Sequence, residues 1–282
     1  METLLDGTYV INMDSDRIRL EEFDSMMRPS NWKYERFSAI NGKKLLGPQS
    51  NITDPDEREK YRLLGALKTS YMGNTAFLTP GEVGCLLSHV SLWDEVANNP
   101  EKNRIAIFED DARSHVDGST VQKHIIDFYA YLEENNIPEP DILYLGKALD
   151  NCLAYKKVWN NVYRSKHPLC LHAYIINKLG AQKLLDKAPF QDPIDVIPIK
   201  AAQEAEIDAM VFHPSMYFQD IFGATSNLRK LKEGLNSTTE CLVFQQHLSA
   251  DTLEYAGVVI TGLIAAMILF IIFSWYRPWN LI

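Results

Sequence analysis

Three consecutive carboxylates, Glu109-Asp110-Asp111, close a short apolar run of strand character, Arg104-Ile105-Ala106-Ile107-Phe108. Like charges set side by side at the end of a buried segment are costly unless something positive neutralises them. The usual neutraliser is a hard divalent cation, which takes oxygen ligands and bridges to substrate phosphates. Phe108 to Asp111 is therefore a candidate metal–nucleotide site, with a solvated acidic turn as the plainer alternative. A second strand-like run, Tyr9 to Asn12, meets Asp14, Asp16 and Arg17. Neither run is followed by a phosphate-cradling glycine loop of the Walker or dinucleotide type. A bound nucleotide would have to be held by metal and side chains, which is the logic of a nucleotide-sugar transferase.

The elements that must position these groups follow from periodicity and end signals. Thr8 to Asn12 reads as a strand, Ser15 to Met27 as a charged helix, and Tyr34 to Ile40 as a second strand ended by Asn41-Gly42. Pro48 to Pro55 reads as loop and Asp56 to Lys68 as a helix. Thr79-Pro80-Gly81-Glu82 has the residues of a capping box, with Pro at the first helical position. The helix it opens runs to about Asn98 with Val83, Leu86, Leu87, Val90 and Trp93 on one stripe. Further strands are expected at Ile105 to Phe108, Asp141 to Gly146, Cys170 to Ile176 and Asp208 to Phe212. Helices are expected at Thr120 to Asn135, Asn177 to Lys187 and Pro193 to Ala205. Strands alternating with helices over some two hundred residues indicate an α/β layered fold with a mainly parallel sheet. In such a sheet ligands sit outside the carboxyl ends of the strands, where Asn12 and Glu109 to Asp111 fall.

With 282 residues and 46% hydrophobic content the chain can build a full core. Its net charge of -9 and lack of a Lys/Arg run argue against a nucleic-acid surface. The four cysteines, Cys85, Cys152, Cys170 and Cys241, show no two-residue pairing and complete no zinc pattern with histidine. Cys85 and Cys170 read as small buried hydrophobes, and no disulfide framework is expected.

Four ordered blocks resemble glycosyltransferase family 25, which contains bacterial lipooligosaccharide galactosyltransferases and the galactosyltransferase domain of procollagen-modifying enzymes. The first joins Tyr9-Val10-Ile11-Asn12, Asp16-Arg17 and Arg36-Phe37-Ser38-Ala39-Ile40-Asn41-Gly42. The second joins Gly81-Glu82-Val83-Gly84-Cys85-Leu86-Leu87-Ser88-His89 and Trp93 to Phe108-Glu109-Asp110-Asp111. The third is Asp141-Ile142-Leu143-Tyr144-Leu145-Gly146. The fourth is Ala173-Tyr174-Ile175-Ile176, then Gly180 to Leu185 and Pro193-Ile194-Asp195.

The resemblance implies a doubly wound, GT-A-like nucleotide-sugar transferase sheet with helices on both faces. It implies transfer of a hexose, galactose or glucose, from a UDP-sugar to a glycan or hydroxylated protein acceptor, inverting and dependent on Mn2+ or Mg2+, as in lipopolysaccharide biosynthesis. Carried over by position, Asp111 is the direct metal ligand and Asp110 faces the metal or the ribose, with Glu109 beside them. Asn12, Arg17, Gly42, Ser88 and His89 are candidate nucleotide-sugar contacts. Arg17 reads equally as a surface ion pair and His89 as a packing residue, while Gly84 and Cys85 read as structural. Asp195 is the candidate base that deprotonates the acceptor hydroxyl, its alternative being a helix N-cap. Where collagen-type members carry a histidine this chain has Met216, so any second metal-ligand role passes to His213, Gln219 or Asp220, or is lost. The competing classes are a catalytically inactive glycosyltransferase-like scaffold and a metal-dependent phosphohydrolase.

Residues 1–229 then form the catalytic domain, 230–255 a stalk, 256–276 a transmembrane helix and 277–282 a short tail. Ala256 to Tyr276 carries no charge and, as a helix, would extend about 31 Å, the thickness of a bilayer core. Trp275, Tyr276 and Trp279 resemble an aromatic belt. The expectation is a single-pass membrane anchor, with the domain on the cytoplasmic side because no signal peptide precedes it.

Overall fold

The computed structural model describes residues 4–46, 68–71, 74–114, 116–190, 192–220 and 240–241. In chain order the main elements are β1 (Gly7–Asn12), α1 (Arg17–Met27), β2 (Glu35–Ser38), α2 (Gly42–Leu46), β3 (Lys68–Tyr71), β4 (Asn74–Phe77), α3 (Pro80–Asn98), β5 (Arg104–Glu109) and β6 (Ala112–Ser114). They continue with α4 (Gly118–Glu134), β7 (Ile142–Tyr144), β8 (Lys156–Trp159), β9 (Val162–Arg164), β10 (Ala173–Asn177), α5 (Lys178–Leu185), α6 (Val196–Gln203), β11 (Ala209–Phe212) and β12 (Tyr217–Gln219).

The central sheet has eight strands among the described residues, in the order β2-β1-β5-β10-β7-β11-β9-β8. Side chains alternate across it, and its central strands feed two cores. Tyr9, Ile11, Ile105, Ile107, Ile142, Tyr144, Tyr174 and Ile176 point to the face covered by α3, α5 and α6. Val10, Ala106, Phe108, Leu143, Ala173 and Ile175 point to the face covered by α1 and α4. Helices on both faces are as expected for a layered α/β fold.

The expectation of a mainly parallel sheet is corrected. β1 pairs in parallel with β2 and β5, and β7 with β11, but β10 runs antiparallel to both β5 and β7, and β9 runs antiparallel to β11 and β8. A central strand covered on both faces is apolar throughout whichever way it runs, so the pattern carries no direction. The consequence for the site is specific. β10 starts at the edge where β1, β5 and β7 end, which brings His172 to the acidic motif: Glu109 N donates to His172 O at 2.9 Å.

The helix α3 begins as its sequence requires. Thr79 Oγ1 accepts from Glu82 N, and Glu82 Oε2 accepts from Thr79 N at 2.7 Å, a complete capping box. Its first turn lies so close to α2 that only glycine fits on either side. A Cβ on Gly42 would lie 1.8 Å from Pro80 O, and one on Gly84 would lie 2.4 Å from Ile40 O.

The region after β7 departs most from expectation. Cys152 and Cys241 are joined by a disulfide, although no disulfide was expected. A separation of 89 residues gives sequence spacing nothing to show. Beside it Lys147, its side chain wholly buried, lies 3.1 Å from Glu240, and His213 Nδ1 lies 2.9 Å from the same Glu240 oxygen. Ser215 N donates to the other Glu240 oxygen. Glu240 and Cys241, expected in a stalk, are thus pinned to the domain.

The expected membrane-anchored localisation is also corrected. No helix among the described residues is long and apolar enough to cross a membrane. The expected span at 256–276 and the loop over 48–55 lie outside the described residues, as does the helix expected over 56–68 except for Lys68, which opens β3.

Candidate functional site

The acidic motif turns off the end of β5 beside the end of β1. Asp110 N donates to Ile11 O, and Asn12 Nδ2 donates to Asp110 Oδ2 at 2.7 Å. The two aspartates are nearly buried, at 5% and 9% exposure, so they need a positive partner. That partner is Arg19. One guanidinium nitrogen lies 2.7 Å from Asp110 Oδ1 and 2.7 Å from Asp111 Oδ2, so the two carboxylates converge on a single cation position.

Burial pushes Asp110 up to about 6, against the lowering pull of Arg19 and Asn12 and with the help of the neighbouring Glu109 and Asp16 charges. Arg19 is desolvated, yet the charges of Asp111, Asp110, Glu109 and Asp16 more than compensate and raise its pKa. It is therefore a fixed cation.

Glu109 is held from the other side by a buried relay. Trp93 Nε1 donates to the Tyr174 hydroxyl at 2.9 Å, Tyr174 lies 2.9 Å from His89 Nδ1, and His89 Nε2 lies 3.2 Å from Glu109 Oε1. The network assigns the protons: Tyr174 donates to Nδ1, and Nε2–H donates to the carboxylate. Burial opposes ionisation of Glu109, but the hydrogen bond from His89 and the charge of Arg19 outweigh it and hold its pKa below the usual value. The relay keeps Glu109 an anion. From the third side β12, paired antiparallel with β6, places Gln219 Nε2 3.3 Å from both Glu109 Oε2 and Asp111 Oδ2. Asp220 N donates to Asp111 O.

Of the residues singled out in the sequence, Asn12, Glu109, Asp110 and Asp111 come together. Asn12 is further fixed by Arg36 Nε, which donates to its Oδ1 at 2.8 Å. His89 is fully buried and reaches the cluster through Glu109, which makes it a positioning residue. Ser88 is also fully buried; its hydroxyl accepts from Ile40 N at 2.9 Å and donates to Gly84 O at 2.7 Å. Both its bonds are spent fastening the loop after β2 to α3. Gly42 serves the same junction. Arg17, at the start of α1, is exposed. Among the three residues offered for a second ligand, Gln219 and Asp220 lie at the motif, whereas His213 is engaged with Glu240 and Met216 is in the core.

Asp195 stands at the N-cap position of α6, but its side chain makes no cap hydrogen bond. Its charge reaches the Cys85 thiol and the Tyr144 hydroxyl, where after burial it helps raise both pKa values. It therefore lies on the α3 face of the sheet, within electrostatic reach of residues that flank Glu109. Sequence reasoning missed Arg19, Arg36 and His172. A signal existed for the first: Arg19 is one of two arginines in Asp16-Arg17-Ile18-Arg19, and residues two apart on a helix face different ways.

Residues 5–197 match the family model described as glycosyltransferase family 25 (LPS biosynthesis protein). The chain is 49% identical over 139 residues to the probable inactive glycosyltransferase 25 family member 3 of Rattus norvegicus, covering 48% of this chain and 23% of the relative. It is 31% identical over 136 residues to the protein of that name in Bos taurus, covering 48% and 22%. To procollagen galactosyltransferase 1-B of Xenopus laevis it is 28% identical over 188 residues, covering 65% and 28%. The chain thus spans under a third of the length of these relatives.

Proposed function

The chain belongs to glycosyltransferase family 25, and from that premise we propose that it transfers a hexose, galactose or glucose, from a UDP-sugar to a hydroxyl of a glycan or a hydroxylated protein. The observation that carries the reading is the convergence of Asp110 and Asp111 on one cation position at the carboxyl edge of the sheet. Hard carboxylate oxygens converging in this way fit Mn2+ or Mg2+, with Asp111 and Asp110 as ligands and Gln219 and Glu109 at hand. When bound, such an ion would neutralise charge developing on the departing diphosphate.

The chain's own residues supply the rest. Arg19 fills that cation position in the structure; with an ion there, its guanidinium would turn its permanent positive charge to the diphosphate. Asn12, fixed by Arg36, orients Asp110. The Trp93–Tyr174–His89 relay keeps Glu109 ionised and still, and Glu109 with Gln219 fixes Asp111. Asp195 takes the proton from the acceptor hydroxyl as that oxygen attacks the anomeric carbon and the diphosphate leaves, with inversion.

The test is release of UDP from a panel of UDP-sugars by the full chain with Mn2+ and with EDTA, for the native protein and for Asp111→Asn and Asp195→Asn. The reading expects metal-dependent turnover, abolished in both variants, with UDP binding retained in Asp195→Asn. A second reading is a catalytically inactive binding protein, and the 49% identity to a relative named as probably inactive favours keeping it. It predicts UDP binding with no turnover for any donor.

A further inference from the structure

A thiol, an imidazole and a carboxylate meet on the α3 side of the acidic cluster. Cys85 and His89 are four residues apart on α3 and share a face, while Glu109 reaches them from the end of β5. Cys85 Sγ lies 3.8 Å and His89 Nε2 lies 3.2 Å from the same oxygen, Glu109 Oε1. All three donor atoms lie within 4.8 Å of one another. A tetrahedral zinc site, with bonds near 2.0 Å to nitrogen and oxygen and near 2.3 Å to sulfur, has ligand-to-ligand edges of roughly 3.3–3.6 Å. The two measured edges are within a few tenths of an ångström of that geometry.

His89 is also oriented as metal-bound histidines are. Its second ring nitrogen is fixed by the Tyr174 hydroxyl, which is fixed in turn by Trp93. Cys85 is a free cysteine, and as a residue it is partly exposed.

We propose that Cys85, His89 and Glu109 form a second metal site, for a borderline-soft divalent ion of the Zn2+ class, separate from the all-oxygen pair Asp110–Asp111. The ligand types make the distinction. Thiolate with imidazole selects Zn2+ over Mn2+ or Mg2+, whereas paired carboxylates do not. On binding, the thiol proton leaves to solvent. The imidazole proton moves from Nε2 to Nδ1, and the Tyr174 hydroxyl turns from donor to acceptor. Since Glu109 also braces Asp111 through Gln219, an ion held here pulls on a wall of the neighbouring site.

The site is tested without donor or acceptor, so its outcome is independent of the transferase reading. Co2+ is added to the full chain under non-reducing conditions, which keep Cys152 and Cys241 bridged. The expected result is a thiolate-to-cobalt charge-transfer band in the near ultraviolet. That band is retained in Asp111→Asn, lost in Cys85→Ser, and displaced by equimolar Zn2+ but not by a large excess of Mn2+. Absence of the band in the native protein overturns the proposal, as does its survival in Cys85→Ser. Displacement by Mn2+ as readily as by Zn2+ also overturns it, and that arm needs no variant to fold.

Discussion

Two clusters of charge lie among the residues that follow strands β5 and β7, and they solve the same electrostatic problem in opposite ways. After β5, Asp110 and Asp111 face one arginine from α1, and Asp110 is left with a pKa raised to about 6. After β7, Glu240 faces Lys147, His213 and a backbone amide. Burial pushes its pKa up, but the His213 hydrogen bond and the Lys147 charge bring it down to about 2. The second cluster is bolted by a disulfide one residue away. Among the described residues the first sets one arginine against two nearly buried aspartates, and the second sets a buried lysine and a histidine against one glutamate. A surplus of buried negative charge is unfavourable for folding and is what a cationic ligand site requires. The contrast separates a site from a clamp.

The comparison is broken most decisively at Asp111. Asp111→Asn is expected to lower sugar transfer at least about 100-fold, on the scale of losing one preorganised electrostatic contact, while the melting temperature stays close to that of the native protein. Turnover of UDP-sugars and a thermal melt on the same preparation check both halves. Collapse of the fold in this variant would make the acidic pair structural.

The next largest effect belongs to the clamp. Glu240→Gln leaves Lys147 buried beside a neutral partner and is expected to destabilise by about 3 kcal/mol. In a chain of this size that corresponds to roughly 6–12 °C in melting temperature. Calorimetry would show it, and an unchanged melt would remove the clamp from the account.

The pKa shifts sharpen the contrast through pH. Glu240 is depressed from its ordinary 4.5 to about 2. Its contribution is therefore complete above about pH 4.5 and is lost as pH falls towards 2. Asp110 is raised from 3.8 to about 6. Its contribution is complete below 3.8 and is lost as pH rises through 6. Accordingly, Asp110→Asn is expected to stabilise the protein by ~1 kcal/mol at pH 8 and to make little difference at pH 4. Chemical denaturation at the two pH values measures this; destabilisation at pH 8 would mean that Arg19 over-compensates the pair.

The smallest effect separates two neighbouring arginines. Arg17→Ala, at an exposed position, is expected to change turnover less than about twofold. Arg19→Ala should impair it strongly, because it removes the cation shared by Asp110 and Asp111. Equal losses would restore Arg17 to the site.

Much of this was legible in the residues. The capping box at Thr79, the apolar stripe of α3 and the strand that ends at Glu109 all rest on local rules, and they appear where those rules put them. Asn12, Glu109, Asp110 and Asp111 were legible because strand ends at one sheet edge share a neighbourhood. What was hidden is long-range. The direction of β10 leaves no trace in an apolar run. The bond between Cys152 and Cys241 spans 89 residues. Arg19 neutralises aspartates some ninety positions away, and only its place two residues after Arg17 on α1 sets it apart. Ser88 and His89, candidate contacts by resemblance, are fully buried; Ser88 ties Ile40 to Gly84 and His89 reaches the cluster through Glu109.

The central claim is that the acidic pair after β5 is the working centre of a sugar-nucleotide transferase. The most direct test is UDP release from UDP-galactose and UDP-glucose by the full native chain beside Asp111→Asn, each with Mn2+ and with EDTA. Turnover confined to the native chain with metal is the predicted result. Equal turnover in the variant, or none from any UDP-sugar in the native chain, would contradict it.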